Sequence, residues 1–335
     1  MKRNLIFVII IAIAIVFVGI GTGYFLFPSQ NPSVAPEHLT LGLQPVESSA
    51  LLYIAKDRGF FSQNGLDVTI RDFDPPVEGV NAMLRGEVDL DSSTEYPIVL
   101  NAFNYENISI LSKHVQVQSV SLIGRRDRGI TNISDLPAKT IGVNRGTLSE
   151  FYLGRFLILH GMNLGDVTVV DVRPPQFAEA ISDGRIDALV SYEPYLSIIR
   201  GRMGNTITEW PANSGQPAYG VITARNDWIG HHPDLAVRFL KSLDMAEGYT
   251  TNHPAEAKVI VQKRLNLSDD YIEAMWPRNQ FSLSLDQSLV LAMEDEARWM
   301  IANNMTNATA VPDFGRYIYT KGLDSVKPGS VNIIR

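Results

Sequence analysis

LTLGLQPVESSALLYIAKDRGFFSQNGLDVTIRDF, from Leu39 to Phe73, contains one complete strand–helix–strand unit. Leu39–Leu43 alternates apolar residues with small or polar ones, the period of a half-buried strand. Gln44–Ser49 is a polar loop, and Ala50–Phe60 reads as a helix that Gly59 brings to an end. Leu66–Phe73 alternates again. Gly59 and Gly65 allow the tight turns that return the chain from helix to strand. A strand, a crossover helix and a second strand are the building unit of a parallel sheet.

The alternation continues downstream. Val77–Leu84 reads as a helix ended by Gly86, Val88–Leu90 as a short strand, and Tyr96–Phe103 as a helix. Ile108–Leu111 and Val120–Ile123 read as strands. A second series follows: strand Thr140–Val143, helix Gly146–His160, strand Val167–Val172, helix Gln176–Ser182, strand Ala188–Ser191 and helix Tyr195–Arg202. After one more strand, Tyr219–Thr223, the pattern becomes helical, with apolar stripes in Pro233–Tyr249 and Leu289–Ile301 at the spacing of core packing. Alternating strands and helices predict an α/β fold whose parallel sheets are covered on both faces. Ligands in such folds bind beyond the carboxyl ends of strands, where the strand order reverses. The polar post-strand loops Gln44–Ser49, Asp91–Glu95, Lys113–Gln118, Asn144–Thr147 and Tyr192–Pro194 are therefore the expected cleft.

Upstream, Lys2 and Arg3 precede an uncharged run from Leu5 to Phe27. A helix of about 20 residues crosses a hydrocarbon core of about 30 Å, so residues 1–27 read as a transmembrane anchor, with the basic residues inside and the body outside the cytoplasm. A cleaved signal is the competing reading, with Gly19-Ile20-Gly21 as its small-x-small site. Residues 28–38, with three prolines, read as a linker. The chain has no cysteine, which removes a lipid-modified N-terminal cysteine, disulfides, thiolate metal sites and thiol nucleophiles. Of its 29 Lys and Arg, Lys2 and Arg3 belong to the N-terminal segment; the other 27 face 36 Asp and Glu, a net charge of −9. No basic stripe appears, so nucleic acid is not an expected partner. His231-His232 lacks a spaced third ligand, and no nucleophile-elbow, phosphate-loop or zinc-protease motif occurs. No enzyme, metal site or cofactor is expected.

Four segments carry a family resemblance. Gly59-Phe60-Phe61 with Gly65-Leu66-Asp67-Val68, the stretch AMLRGEVDLDSSTEYP (Ala82–Pro97), the stretch ISDLPAKTIGVNRGTLSEF (Ile133–Phe151) and the stretch AISDGRIDALVSYEPY (Ala180–Tyr195) occur in the order found in ABC-importer binding proteins for nitrate, taurine, aliphatic sulfonates and thiamine-pyrimidine precursors. The chain thus resembles the type II periplasmic binding proteins over about Leu39 to Tyr195. The resemblance implies two α/β lobes joined by two hinge crossings, at Val120–Arg126 and Gly215–Thr223. It assigns 39–125 and 218–335 to one lobe and 126–217 to the other. It further implies a monomer that hands a small-molecule solute to an ABC permease and its ATPase. A tethered sensor domain acting through a membrane partner is the alternative. A fungal group makes the thiamine pyrimidine in this fold with a cysteine-rich motif, which this chain lacks.

The candidate ligand contacts come from the post-strand loops: Gln44, Glu47, Ser93, Glu95, Lys113, Arg145, Gly146, Thr147, Tyr192 and Glu193. Gly146-Thr147 opens a helix, whose unpaired N–H groups suit an anion. Arg145 and Lys113 are candidate partners for a sulfonate, nitrate or carboxylate. Glu47, Glu95 and Glu193 favour instead an amine or aminopyrimidine-like edge, since clustered carboxylates require a counter-charge. Tyr192, Tyr195, Tyr96 and Tyr219 offer ring faces to a planar ligand. Asp89 and Asp187, at strand ends, read as turn-holding groups.

Overall fold

The computed structural model describes residues 35–104, 107–213 and 215–334. The expected anchor, 1–27, and most of the linker lie outside the described residues. Among the described residues, no helix is long and apolar enough to cross a membrane. The linker reaches less far than its composition suggests. Glu37 and His38 already belong to β1, where the Glu37 N–H bonds the Gly65 carbonyl at 3.0 Å.

Among the described residues, twelve strands follow in chain order: β1 Glu37–Leu43, β2 Leu66–Asp72, β3 Leu90–Thr94, β4 Ser109–Val117, β5 Val120–Arg125, β6 Thr140–Val143, β7 Thr168–Asp171, β8 Ala188–Tyr192, β9 Ile207–Pro211, β10 Ala218–Ala224, β11 Asn279–Asp286 and β12 Val331–Asn332. They form two sheets. Seven strands run in the order β12-β11-β4-β10-β3-β1-β2, and five in the order β7-β6-β8-β5-β9. β1 pairs in parallel with β2 and β3, and β6 with β7 and β8. β10 is antiparallel to β3 and β4, and β5 to β8 and β9. Each sheet thus has a parallel portion built from strand–helix–strand units and an antiparallel strand where the chain passes from one sheet to the other.

The two sheets share one device. The Asp89 carboxylate accepts from the Thr40 N–H at 2.7 Å and its hydroxyl at 2.6 Å, and the Asp187 carboxylate accepts from the Thr140 N–H at 2.9 Å. In each case the acidic residue preceding a strand ties down the neighbouring parallel strand, as the turn-holding reading anticipated.

Two expected loops are strand. β4 runs on to Val117, so Lys113 lies in mid-strand rather than in a loop, because β4 is bonded on both sides, by β10 and β11. β3 covers Asp91–Thr94 for the same reason, wedged between β1 and β10. Val120–Arg126, expected as a crossing, is almost wholly β5 of the five-stranded sheet, which includes the strand expected at Val120–Ile123. All six of its residues are buried, which requires a neighbour on each edge. The chain therefore passes between the sheets at 118–119 and returns at 212–217.

Most buried apolar residues form one cluster, which includes β1, the helix Ala50–Asp57, the helix Pro233–Asn252 and the helix Leu148–Leu159. A smaller cluster around Phe177, Leu189 and Leu196 fills the outer face of the five-stranded sheet. The helix Leu148–Leu159 hangs from the smaller sheet yet packs against the helix Gln287–Ala302 of the larger one. Phe151 meets Trp299 edge-on at 5.6 Å, and a Cβ at Gly154 would stand 2.4 Å from Trp299 Nε1. Only glycine lets the two helices approach this closely.

Candidate functional site

A cavity of about 1000 Å³, open mouth included, lies between the two sheets. Its walls on the larger side are the loop after β1, the strand β3 with the start of the helix after it, and parts of β4 and β10; on the smaller side they are the loops after β6 and β8. Strand order reverses at β1, which lies between β2 and β3, and at β6, which lies between β7 and β8. Strand ends diverge at such a point and leave a crevice.

Seven of the ten expected residues line this cavity: Gln44, Glu47, Ser93, Gly146, Thr147, Tyr192 and Glu193. Glu95, Lys113 and Arg145 do not. β4 is irregular at His114, where Gly220 pairs with Val115 and Val221 with Lys113; His114 lines the cavity and Lys113 does not. The Lys113 ammonium, with its side chain only 2% exposed, pairs with the Asp286 carboxylate at 2.5 Å. Arg145 is 58% exposed at its side chain and donates through Nε to the buried Glu150 carboxylate at 3.0 Å. The other Glu150 oxygen accepts from the Gly146 N–H at 2.7 Å, so Arg145 and Glu150 together close the loop ahead of the helix.

That loop presents the helix N-terminus to the cavity. Thr147 donates its hydroxyl to the Asn144 carbonyl at 2.6 Å, and the N–H groups of Glu150 and Phe151 both go to the Thr147 carbonyl. The first helical N–H groups, those of Leu148 and Ser149, have no intrahelical partner by geometry, and both residues line the cavity.

The three glutamates part company. Glu193 is held by its own helix: its carboxylate accepts from the Ser197 N–H at 3.1 Å, the Ser197 hydroxyl at 2.7 Å and Arg200 Nη1 at 2.6 Å. Glu47 is 3% exposed and accepts from the Tyr271 hydroxyl at 3.1 Å. Burial raises its pKa, opposed by backbone and Tyr271 hydrogen bonds and reinforced by the nearby Glu193 charge. Glu95 sits behind the cavity wall, where one oxygen accepts from the Tyr219 N–H at 3.0 Å and the group faces Glu296 of the helix Gln287–Ala302. Burial pushes Glu95 up to about 7, and burial together with the Glu95 charge raises Glu296 well above the carboxylate range. Both carboxyls are thereby biased toward the protonated form. Tyr152, from the helix on the smaller side, feels both charges, so this acidic pair lies at the seam between the two halves.

The cavity also has residues that the sequence did not single out. His114, Ser92, Ser149, Ser119 and Gly220 line it, together with Tyr96, one of the expected ring faces. Their signal is weak, because a histidine or serine inside an apolar strand looks like any buried polar residue until the strand's neighbours are known. Tyr192 stands edge-on to Tyr195 at 5.5 Å, and the Tyr195 hydroxyl donates to Asp74 at 2.6 Å, a bond joining the two halves near the mouth. Among the described residues lining the cavity, none is Lys or Arg.

A cavity walled by two α/β halves, linked by two crossings at a reversal of strand order, is the architecture of the periplasmic-binding-protein fold. The chain belongs to the NMT1/THI5-like family, whose model matches residues 47–257. It is 25% identical over 255 residues to a protein of Brucella abortus (strain 2308) named as a binding protein, covering 73% of this chain and 76% of that one. It is 26% identical over 200 residues to the taurine-binding periplasmic protein of Escherichia coli (strain K12), covering 58% of this chain and 62% of the relative. The fold is similar to that of the alkanesulfonate-binding protein SsuA of Xanthomonas axonopodis pv. citri, solved with MOPS, at a TM-score of 0.74 and 16% identity, over 86% of this chain and 99% of that one.

Proposed function

We propose that this chain is the extracytoplasmic solute-capture component of an ABC importer, which closes its two halves about a small solute and delivers it to a permease and its ATPase. The cavity walled by both sheets carries the reading, since a solute there touches both halves at once and stabilises the closed arrangement. The moving bodies would be 37–117 with 218–334, and 120–211. Residues 1–27 would tether a monomeric body to the outer face of the cell membrane.

Two ligand classes fit the family. The free N–H groups of Leu148 and Ser149, with relatives named for taurine and alkanesulfonates, support a sulfonate-like solute. The buried Glu47 and the lack of Lys or Arg among the described lining residues support an amine-bearing or aminopyrimidine-like one. Calorimetry and small-angle scattering with candidate solutes test the capture reading. Binding should reduce the radius of gyration, and a chain that neither binds nor compacts with any small solute refutes it.

A further inference from the structure

A second cavity, of about 1510 Å³ with its open mouth included, lies at the two crossings. The first crossing divides its residues between the cavities. Val117 and Ser119 line the solute cavity, whereas Gln116 and Gln118 line this one. The return divides likewise, with Ala218 on the first and Pro217 on the second. The crossings are therefore a partition with a cavity on each side. Both halves wall the second cavity. The larger half gives Gln116 of β4, Gln280 of β11 and Arg278 of the turn before β11. The smaller half gives Ser121 of β5, Glu209 of β9 and Arg200 of the helix Tyr195–Met203.

Gln116 and Gln280 stand opposite each other in the β4–β11 register, which sets their carboxamides side by side. Arg278 is exposed, and its guanidinium has no hydrogen-bond or ion-pair partner among the described residues. Arg200 is engaged. Its Nη2 and Nε hold the Glu209 carboxylate at 2.7 and 2.9 Å, and its Nη1 holds Glu193 at 2.6 Å. The Arg200 pairing, with a smaller contribution from the Arg278 charge, keeps Glu209 below the usual carboxylate range. Two guanidinium groups against one carboxylate leave the described lining with a surplus positive charge. A guanidinium fork fits the oxygens of a carboxylate or phosphate, and carboxamides add uncharged donors. Arg200 also joins the two cavities, because Glu193, its other partner, lines the solute cavity.

We propose that the second cavity is an effector site for a small oxyanion, a carboxylate or a phosphate, held between Arg278 of the larger half and Arg200 of the smaller. The site stands apart from the capture reading; only its effect on the solute rests on that reading. Halves that swing about the crossings open one cavity as they shut the other. An anion that draws Arg278 toward Arg200 narrows the second cavity and opposes closure around a solute. It also competes with Glu209 and Glu193 for Arg200, which loosens a wall of the solute cavity. The anion thus acts as a release signal, and by linkage the solute weakens anion binding by the same factor.

Calorimetry on the full-length chain with inorganic phosphate and with succinate, in a buffer free of other oxyanions, tests the site. The expected result is one bound anion per chain, with affinity reduced about tenfold or more in Arg278→Gln and partly restored in Arg278→Lys. Arg278 is exposed, so both substitutions leave the core untouched. An anion seated in the solute cavity does not respond to Arg278→Gln. Binding of neither probe, or binding that Arg278→Gln leaves unmoved, overturns the effector site. The coupling is tested with the solute that mass spectrometry identifies on the chain after incubation in a small-molecule extract. Saturating phosphate or succinate should weaken its binding about fivefold or more, and should not do so in Arg278→Gln. A solute affinity that stays level or rises overturns the coupling. A chain that captures no solute overturns the coupling together with the capture reading, and the anion site then stands or falls on the first calorimetry alone.

Discussion

Glu95→Gln should make the protein more stable, increasingly so as the pH rises. Glu95 is fully buried behind the cavity wall and faces Glu296. Its ordinary pKa of 4.5 is raised to about 7, chiefly by burial. Below pH 4.5 the carboxyl is neutral in both the folded and unfolded chains and has no effect. Between 4.5 and 7 the unfolded chain releases the proton and the folded chain keeps it, so the unfolded state gains and stability is lost as pH rises through that window. At about 1.4 kcal/mol per unit, the loss reaches about 3 kcal/mol at neutral pH. Glutamine is neutral throughout and still offers an oxygen to the Tyr219 N–H that Glu95 holds at 3.0 Å. Removing the Glu95 charge also relieves Glu296, whose pKa that charge raises. Urea unfolding of both chains at pH 4.5, 5.5, 6.5 and 7.5 gives the difference in unfolding free energy directly. It should be near zero or slightly unfavourable to the variant at pH 4.5 and move toward it by about 3 kcal/mol at pH 7. A difference that does not change with pH refutes the buried pair.

Two other substitutions probe contacts between the halves. Gly154→Ala places a Cβ against the Trp299 indole, 2.4 Å from Nε1, and should cost about 1–3 kcal/mol in a thermal or chemical melt; an unchanged melt means that the two helices separate freely. Tyr195→Phe removes the 2.6 Å bond to Asp74 near the mouth and should speed ligand release about two- to fivefold in stopped-flow displacement, the worth of one ordinary hydrogen bond. An unchanged release rate would mean that this bond does not hold the closed state.

Strand–helix alternation revealed the architecture because it depends on local period. Asp89 and Asp187 were legible for the same reason: each acts one strand away, on Thr40 and Thr140. The cleft was legible wherever it is made of post-strand loops, which is why Gln44, Glu47, Gly146, Thr147, Tyr192 and Glu193 line it. It was illegible where it is made of strand faces. His114 and Gly220 matter only because β10 lies beside β4, pairing Gly220 with Val115, and no local pattern announces an antiparallel neighbour a hundred residues away. The two basic candidates lie outside the cavity lining for a related reason. A side chain's direction depends on its partner, and the partners of Lys113 and Arg145, which are Asp286 and Glu150, draw them out of the cleft.

Lys113 shows how far such a partner can be tested. The ammonium is almost wholly buried, while its Asp286 partner is 27% exposed at the side chain and also accepts from Ser284 and Ser288. The two ends of the pair should therefore respond unequally to removal. Asp286→Asn leaves a buried cation without its counter-charge and should cost about 3 kcal/mol, whereas Lys113→Met leaves a carboxylate that water and two hydroxyls still serve and should cost clearly less. Because the ammonium is held on Asp286 and Lys113 does not line the cavity, Lys113→Met should hold solute affinity within about twofold, far from the tenfold that 1.4 kcal/mol of lost contact would give. Chemical denaturation and calorimetry on the same preparations measure both quantities. A tenfold loss of affinity in Lys113→Met, with stability little changed, would show that the ammonium serves the solute rather than Asp286.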